Sequence, residues 1–64
     1  MKPDWRDAPE WASWLAQDDG GWWYWYEDKP YIHDGFEWVS NSKYSFAGFD
    51  ETELSPADTL ESRA

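Results

Sequence analysis

A run of five consecutive aromatic residues at positions 22–26 most constrains what this 64-residue chain can fold into. Side chains of an extended strand alternate between its two faces, so Trp23 and Trp25 would share one face and the other three rings the opposite face. Both faces are then large and apolar. One can pack against the chain's own core, whereas the second needs a further cover, such as a second protomer or a partner.

Aromatic rings must also supply most of the core, because the chain has seven Trp, four Tyr and three Phe but few branched aliphatic residues. A chain of this size buries only about 60% of its unfolded surface, so most rings are needed in the core and few can remain exposed for binding. Cysteine is absent and histidine occurs once, which excludes a disulfide framework and a Cys/His zinc site. We therefore expect positions 22–26 to be chiefly scaffold, and we expect no metal or cofactor.

An amphipathic helix is predicted from Ala8 to about Asp19. Asp7 is placed to cap its N-terminus, and an apolar stripe with i, i+3, i+4 spacing begins at Trp11. The two glycines at positions 20–21 would end the helix and supply the positive φ of a C-terminal cap.

Three strands are predicted after this helix. They are residues 22–27, 36–40 and 43–49. A three-residue loop between the last two strands would place Trp38 opposite Tyr44 and Phe36 opposite Phe46, with four aromatic rings on one face. Asp34 and the glycine after it form a turn signal within an otherwise irregular connection.

The predicted fold class is α+β: one amphipathic helix packed on a three-stranded antiparallel sheet, with a short C-terminal helix or a loose tail. Residues 1–50 would form a single compact domain. Residues 51–64 would form an acidic tail, since this segment contains no aromatic residue. Within it, Ser55, Pro56 and Asp58 have the pattern of a helix N-terminus.

The net charge of −9 limits the classes of partner. So much negative charge repels nucleic acid and anionic membrane, so neither is an expected direct partner. No apolar run approaches the length of a membrane span, and the N-terminus lacks the pattern of a signal peptide. The expected location is the cytoplasm.

Most acidic residues that helix N-termini do not explain fall in predicted loops or at element ends. Asp18 and Asp19 would even lie at a helix C-terminus, where the macrodipole disfavours negative charge. These acids either keep a very aromatic chain soluble or bind a basic partner. The predicted acidic partner-binding set is Asp18, Asp19, Glu27, Asp28, Asp34, Asp50, Glu51 and Glu53.

Catalysis is not expected, and no catalytic residues are assigned. Nothing around His33 indicates the sheltered pocket that a nucleophilic triad requires. The acids near position 50 lack the spacing and central glycine of a calcium loop.

Residues 5–30 resemble a group of small acidic proteins of tailed bacteriophages and prophages, whose pattern is W-x-D-A-P-E-W-A-x-W, then A-x-D, then glycine and a Trp-rich strand ending in K-P. The matching residues are Trp5, Asp7, Ala8, Pro9, Glu10, Trp11, Ala12, Trp14, Ala16, Asp18, Gly21 and Pro30. Together with a similar "DTLESR" ending, the resemblance covers about half of the chain. It implies a phage or prophage origin and action in the cytoplasm of a bacterial host, and it implies no activity.

Two functions follow as hypotheses. The first is a phage-encoded inhibitor that presents its carboxylates to the basic groove of a host nucleic-acid-binding or defence protein, in place of DNA. The alternative is an aromatic protein- or peptide-binding module that acts as a homodimer without DNA mimicry, with Trp22, Tyr24 and Tyr26 as its contact residues.

Overall fold

Two antiparallel β-sheets make up the fold in a computed structural model, which describes residues 2–51 and 54–63. The strands are β1 (Trp14–Gln17), β2 (Trp22–Tyr26), β3 (Tyr31–His33), β4 (Glu37–Val39), β5 (Tyr44–Phe49) and β6 (Glu61–Ser62). The larger sheet has the order β5-β2-β1-β6, and the smaller sheet is the hairpin of β3 and β4. Short 3₁₀ turns occur at Trp5–Asp7 and Pro56–Thr59.

The predicted helix from Ala8 to Asp19 is wrong, and with it the α+β class, because the described residues contain no α-helix. Strand β1 occupies the second half of that segment and pairs with both β2 and β6. Residues 15–17 are completely buried. A strand covered on both faces has a continuous buried pattern, which periodicity alone does not distinguish from a helix segment. A short helix is marginal by itself, whereas strand β1 satisfies its backbone against two neighbours.

The two glycines that were expected to cap a helix instead form the turn between β1 and β2. The Asp18 carboxylate accepts hydrogen bonds from the backbone N–H groups of Gly20 (2.9 Å) and Trp22 (3.0 Å). Gly21 has a φ of 93°, and a Cβ there would lie 2.8 Å from the carbonyl oxygen of Asp50. An aspartate-glycine turn before an aromatic strand is a hairpin signal. The macrodipole argument for Asp18 and Asp19 therefore does not apply.

The predicted strand at 22–27 is present, but the predicted pairing of the last two strands is wrong. Strand β5 pairs with β2, so Tyr44 lies opposite Tyr26 and Phe46 opposite Tyr24. A register shift falls beside Ala47, and this extra residue keeps the following aromatic ring on the same face. Cross-strand aromatic pairs stabilise this pairing.

Strand β4 pairs with β3, in the region that was predicted to be an irregular connection. Asp34 and Gly35 have φ values of 55° and 86°, the left-handed conformation of tight hairpin turns. The turn signal at these two residues was therefore correct, but the short strand before it was missed. Strand β3 has only three residues, which is too few for a clear alternation.

The core lies on the face of the large sheet that carries Trp23 and Trp25, packed with Leu15 and Ala12. The residues that pack against this cluster from outside are Trp5, Ala8, Trp11 and Ala47. The predicted start of the C-terminal helix is present, with Ser55 at the N-cap, Pro56 at the first position and Asp58 in the first turn, but it opens only a four-residue 3₁₀ turn. A loose tail is wrong, since β6 adds a strand beside β1.

Candidate functional site

A cleft of about 440 Å³ separates the outer face of the large sheet from the β3–β4 hairpin. Its aromatic walls are Tyr24, Tyr26 and Tyr44 from the sheet, and Phe36 and Trp38 from the hairpin. Carboxylates line it as well, and these belong to Asp18, Asp19 and Glu37. This volume lies in the range of small-ligand pockets, and the lining combines apolar surface with a few charged groups, as such pockets do.

Two hydrogen bonds attach the hairpin wall to the sheet. The Trp38 indole nitrogen donates to the backbone carbonyl of Gln17 at 2.8 Å. The backbone N–H of Asp19 donates to the carbonyl of Phe36 at 3.3 Å. The cleft is therefore held open between two elements that are each fixed by backbone pairing.

Gln17 organises the end of the sheet at which the cleft lies. Its side-chain amide nitrogen donates to the carbonyls of Gly21 (3.1 Å) and Asp50 (2.5 Å), which ties the β1–β2 turn to the end of β5. Its backbone N–H donates to the Thr59 hydroxyl at 2.9 Å. One completely buried residue thus positions three chain segments around the acidic turn, two through its side chain and one through its backbone.

A continuous aromatic surface extends from the cleft across β2 and β5. Neighbouring ring centroids in this surface lie 4.9–6.1 Å apart. Its members, in spatial order, are Phe49, Trp22, Phe46, Tyr24, Tyr44 and Tyr26. We refer to these six residues as the aromatic face. Four of them are 46–60% exposed, so this face is largely uncovered in the described structure.

The aromatic residues predicted from the sequence, Trp22, Tyr24 and Tyr26, do share this face. Sequence reasoning assigned the rings of β5 to a different pair of strands, and it did not place Trp38 or Glu37 at a site. The alternation of aromatic and small residues in β5 was the available signal, since it fits a strand with one aromatic side.

The predicted acidic set is divided between the two ends of the large sheet. Asp18 and Asp19 lie in the β1–β2 turn, and the backbone of Asp50 is hydrogen-bonded to that same turn. Glu27 and Asp28 follow β2 at its other end, which is roughly 17 Å away along a five-residue strand. The structure therefore brings together only part of the predicted array.

The remaining members of the set have separate positions. Asp34 lies in the β3–β4 turn, where its carboxylate is 3.1 Å from the imidazole of His33. Glu51 is exposed just after Asp50. Glu53 lies outside the described residues.

All five lysine and arginine side chains are engaged away from the cleft. Lys2 pairs with Glu61, and Arg6 with Asp4 at 2.8 Å. The other three lie over indole rings at 5.1–5.6 Å from the ring centroid: Lys29 over Trp14, Lys43 over Trp11 and Arg63 over Trp5. The cleft carboxylates thus have no lysine or arginine from the described chain beside them.

Among the sheet residues that line the cleft, Tyr26 is the least exposed, at 5%. Burial raises the pKa of its hydroxyl above the ordinary value, and the negative charge of Asp18 raises it further. The hydroxyl makes no hydrogen bond to any described residue. The environment of this group therefore disfavours an anion and leaves an unused donor and acceptor.

Within the described residues no cluster of histidine, cysteine or carboxylate side chains has the arrangement of a metal site. None of the helical segments in that part of the chain has the length and apolar character needed to cross a membrane. No protein-family model, curated protein or solved structure matches the chain.

Proposed function

We propose that the protein binds a basic surface of a partner protein through the cleft and the acidic residues at the same end of the large sheet. The observation that carries this proposal is the set of three cleft carboxylates, Asp18, Asp19 and Glu37, with every lysine and arginine of the chain engaged elsewhere. Charge complementarity of this kind speeds encounter and excludes partners of the wrong sign.

We further infer that the partner is a nucleic-acid-binding or defence protein of a bacterial host, and that the chain is a phage-encoded inhibitor acting in the host cytoplasm. Proteins that bind nucleic acid attract it chiefly through phosphate charge, so a carboxylate surface competes for the same lysine and arginine residues. The net charge of −9 and the resemblance of residues 5–30 to acidic phage proteins support this inference. Catalysis has no part in it.

The proposal is tested by using the immobilised protein to capture partners from a bacterial lysate and comparing the wild type with two variants of equal net charge. The site variant is Asp19→Asn/Glu37→Gln, and the control is Glu27→Gln/Asp28→Asn, which changes the net charge equally at the other end of the sheet. We expect the wild type and the control to retain basic nucleic-acid-binding proteins that are released by moderate salt and displaced by duplex DNA.

The site variant should lose this capture. Equal capture by the two variants, or capture that neither salt nor DNA reverses, would contradict the proposed function. Both variants change only exposed side chains, so folding is not expected to differ.

A second function, aromatic recognition as a homodimer, is favoured by the exposure of the aromatic face and by the position of β5. This six-residue strand lies at the edge of the large sheet and carries no charged residue. Natural edge strands are usually protected by lysine, proline or a covering segment. A second copy could pair with β5 and continue the aromatic face across a two-fold axis.

Sedimentation of the wild type and of Phe46→Lys tests this second function. A dimer that the lysine substitution converts to monomer supports it, because Phe46 is 57% exposed at the centre of β5 and a charge there protects the edge. A wild-type monomer at all accessible concentrations removes the homodimer.

A further inference from the structure

Aromatic rings and carboxylate residues line the cleft, and no lysine or arginine of the described residues is part of its lining. Tyr24 and Tyr44 meet edge to face, at 71° and 6.1 Å, while Tyr26 and Tyr44 are inclined by only 30°. The Trp38 indole is held on the opposite wall by its hydrogen bond to Gln17. Tyrosine and tryptophan faces attract cations within about 6 Å of the ring centroid, most strongly where water is excluded.

The Tyr26 hydroxyl is a second, independent observation at this site. The side chain is more than nine-tenths buried, it lines the cleft, and its hydroxyl has no hydrogen-bond partner among the described residues. The hydroxyl oxygen is not itself one of the fully buried, unpaired polar atoms of the described residues, so it keeps surface that is open to the cleft, where a ligand can hydrogen-bond to it. A ligand that donates N–H groups would do so.

We propose that the cleft is a receptor for one arginine side chain of the partner, whose guanidinium stacks between the tyrosine faces and Trp38 and donates hydrogen bonds to the Tyr26 hydroxyl and to Glu37. This proposal rests on the proposed function and deepens it, since it names the recognised group. Arginine is preferred over lysine for a physical reason. Guanidinium is planar, weakly hydrated and able to stack on rings while its N–H groups reach a carboxylate, whereas ammonium is a compact and strongly hydrated charge.

The test uses two small probes, Nα-acetylarginine methylamide and Nα-acetyllysine methylamide, titrated into the full-length protein and followed by calorimetry and tyrosine signals in NMR spectra. We expect saturable binding of the arginine probe and at least about fivefold weaker binding of the lysine probe. Tyr26→Phe keeps the ring and should weaken the arginine probe about fivefold, since one hydrogen bond is lost.

Glu37→Gln provides a second variant whose folding is not in question, because Glu37 is exposed on the short hairpin. It should weaken the arginine probe by about fivefold to tenfold. The matched control is Glu27→Gln, which removes the same charge at the far end of the sheet and should leave the affinity within about twofold. Tyr31→Phe, at a tyrosine that does not line the cleft, is the control for Tyr26→Phe.

Equal affinity for the two probes would overturn the proposal, because it would mark the cleft as a non-selective anionic surface. Equal weakening by Glu27→Gln and Glu37→Gln, or no saturable binding, would overturn it as well. These results leave the proposed function standing if lysate capture still depends on Asp19 and Glu37. Loss of that dependence overturns the proposed function separately.

Discussion

The Trp38 indole nitrogen donates a 2.8 Å hydrogen bond to the backbone carbonyl of Gln17, and this bond joins the small sheet to the large one beside the cleft. The Thr59 hydroxyl accepts a 2.9 Å hydrogen bond from the Gln17 backbone N–H and lies 3.2 Å from the same carbonyl, while its single proton has a shorter contact, 2.7 Å, with the Pro56 carbonyl. The backbone of Gln17 in β1 therefore connects the hairpin, the large sheet and the C-terminal 3₁₀ turn. The shape of the cleft depends on this connection.

Replacing Trp38 with phenylalanine should lower the free energy of unfolding by about 1 kcal/mol. The indole donor is lost, and the Thr59 hydroxyl replaces it only in part because its single proton has a shorter contact with the Pro56 carbonyl, so the cost should be that of one hydrogen bond. Urea denaturation measures the change. The control is Trp22→Phe, at a ring that is 46% exposed and whose indole makes no hydrogen bond to a described residue, and it should cost less.

Replacing Gly21 with alanine should destabilise the fold by about 2 kcal/mol or more. Its φ of 93° disfavours any side chain, and the new Cβ would also lie 2.8 Å from the Asp50 carbonyl oxygen. Gly35→Ala is the matched control, because Gly35 has a φ of 86° but nothing lies within 4 Å of its Cβ position. If thermal denaturation shows that Gly21→Ala and Gly35→Ala lose the same amount of stability, the close contact with the Asp50 carbonyl does not contribute to the cost.

Stability should fall at alkaline pH because of Tyr26. Burial and the charge of Asp18 raise the folded-state pKa of this hydroxyl, whereas in the unfolded chain it ionises near pH 10. The unfolded state therefore loses the proton first, so this contribution is intact below about pH 10 and is lost as the pH rises further, at up to about 1.4 kcal/mol per pH unit. The difference in unfolding free energy between wild type and Tyr26→Phe should be constant below about pH 10. Above that pH the wild type should lose stability relative to the variant, which has no hydroxyl to ionise.

The contribution of Glu61 to stability should be lost at acidic rather than alkaline pH. Burial alone raises the pKa of its carboxyl, but hydrogen bonds from Lys2 and the Trp5 indole outweigh burial and hold the pKa below its ordinary 4.5. This contribution is present above about pH 4.5 and is lost as the pH falls through the lower folded-state pKa.

The variant Glu61→Gln should therefore be less stable than the wild type at pH 7, by up to about 1 kcal/mol, and the difference should vanish in acid. Glu10→Gln removes one exposed charge without this contact, so it corrects for the general relief of repulsion. A difference for Glu61→Gln that does not change with pH would contradict the assignment.

Sequence reasoning was most successful where a pattern was local. The alternation of β2 and the turn at Asp34 and Gly35 depend on neighbouring residues, and both are present. The cleft needed information that no local pattern contains. Trp38 and Tyr44 line the same cleft instead of pairing across a ladder, because β4 pairs with β3 and β5 pairs with β2.

The error at residues 8–19 has a physical cause. Trp11, Trp14 and Leu15 have helical spacing, and the two glycines after them suit either a helix cap or a hairpin turn. Strand pairing decided the outcome, since β2 has aromatic side chains on both faces and needs a neighbour on each edge. Once β1 is a strand, the acids that seemed misplaced at a helix end become turn residues beside the cleft.

The central claim is that a cationic segment of a partner binds in the cleft between β2, β5 and β4. Titration of the ¹⁵N-labelled protein with a short arginine-rich peptide tests it most directly, because the indole N–H signals report on both faces of the sheet. We predict saturable shifts of the Trp38 indole and of the Tyr24 and Glu37 amides, with the core-side indoles of Trp5 and Trp11 unchanged. Shifts centred instead on Glu27 and Asp28, or shifts that never saturate, would contradict the account.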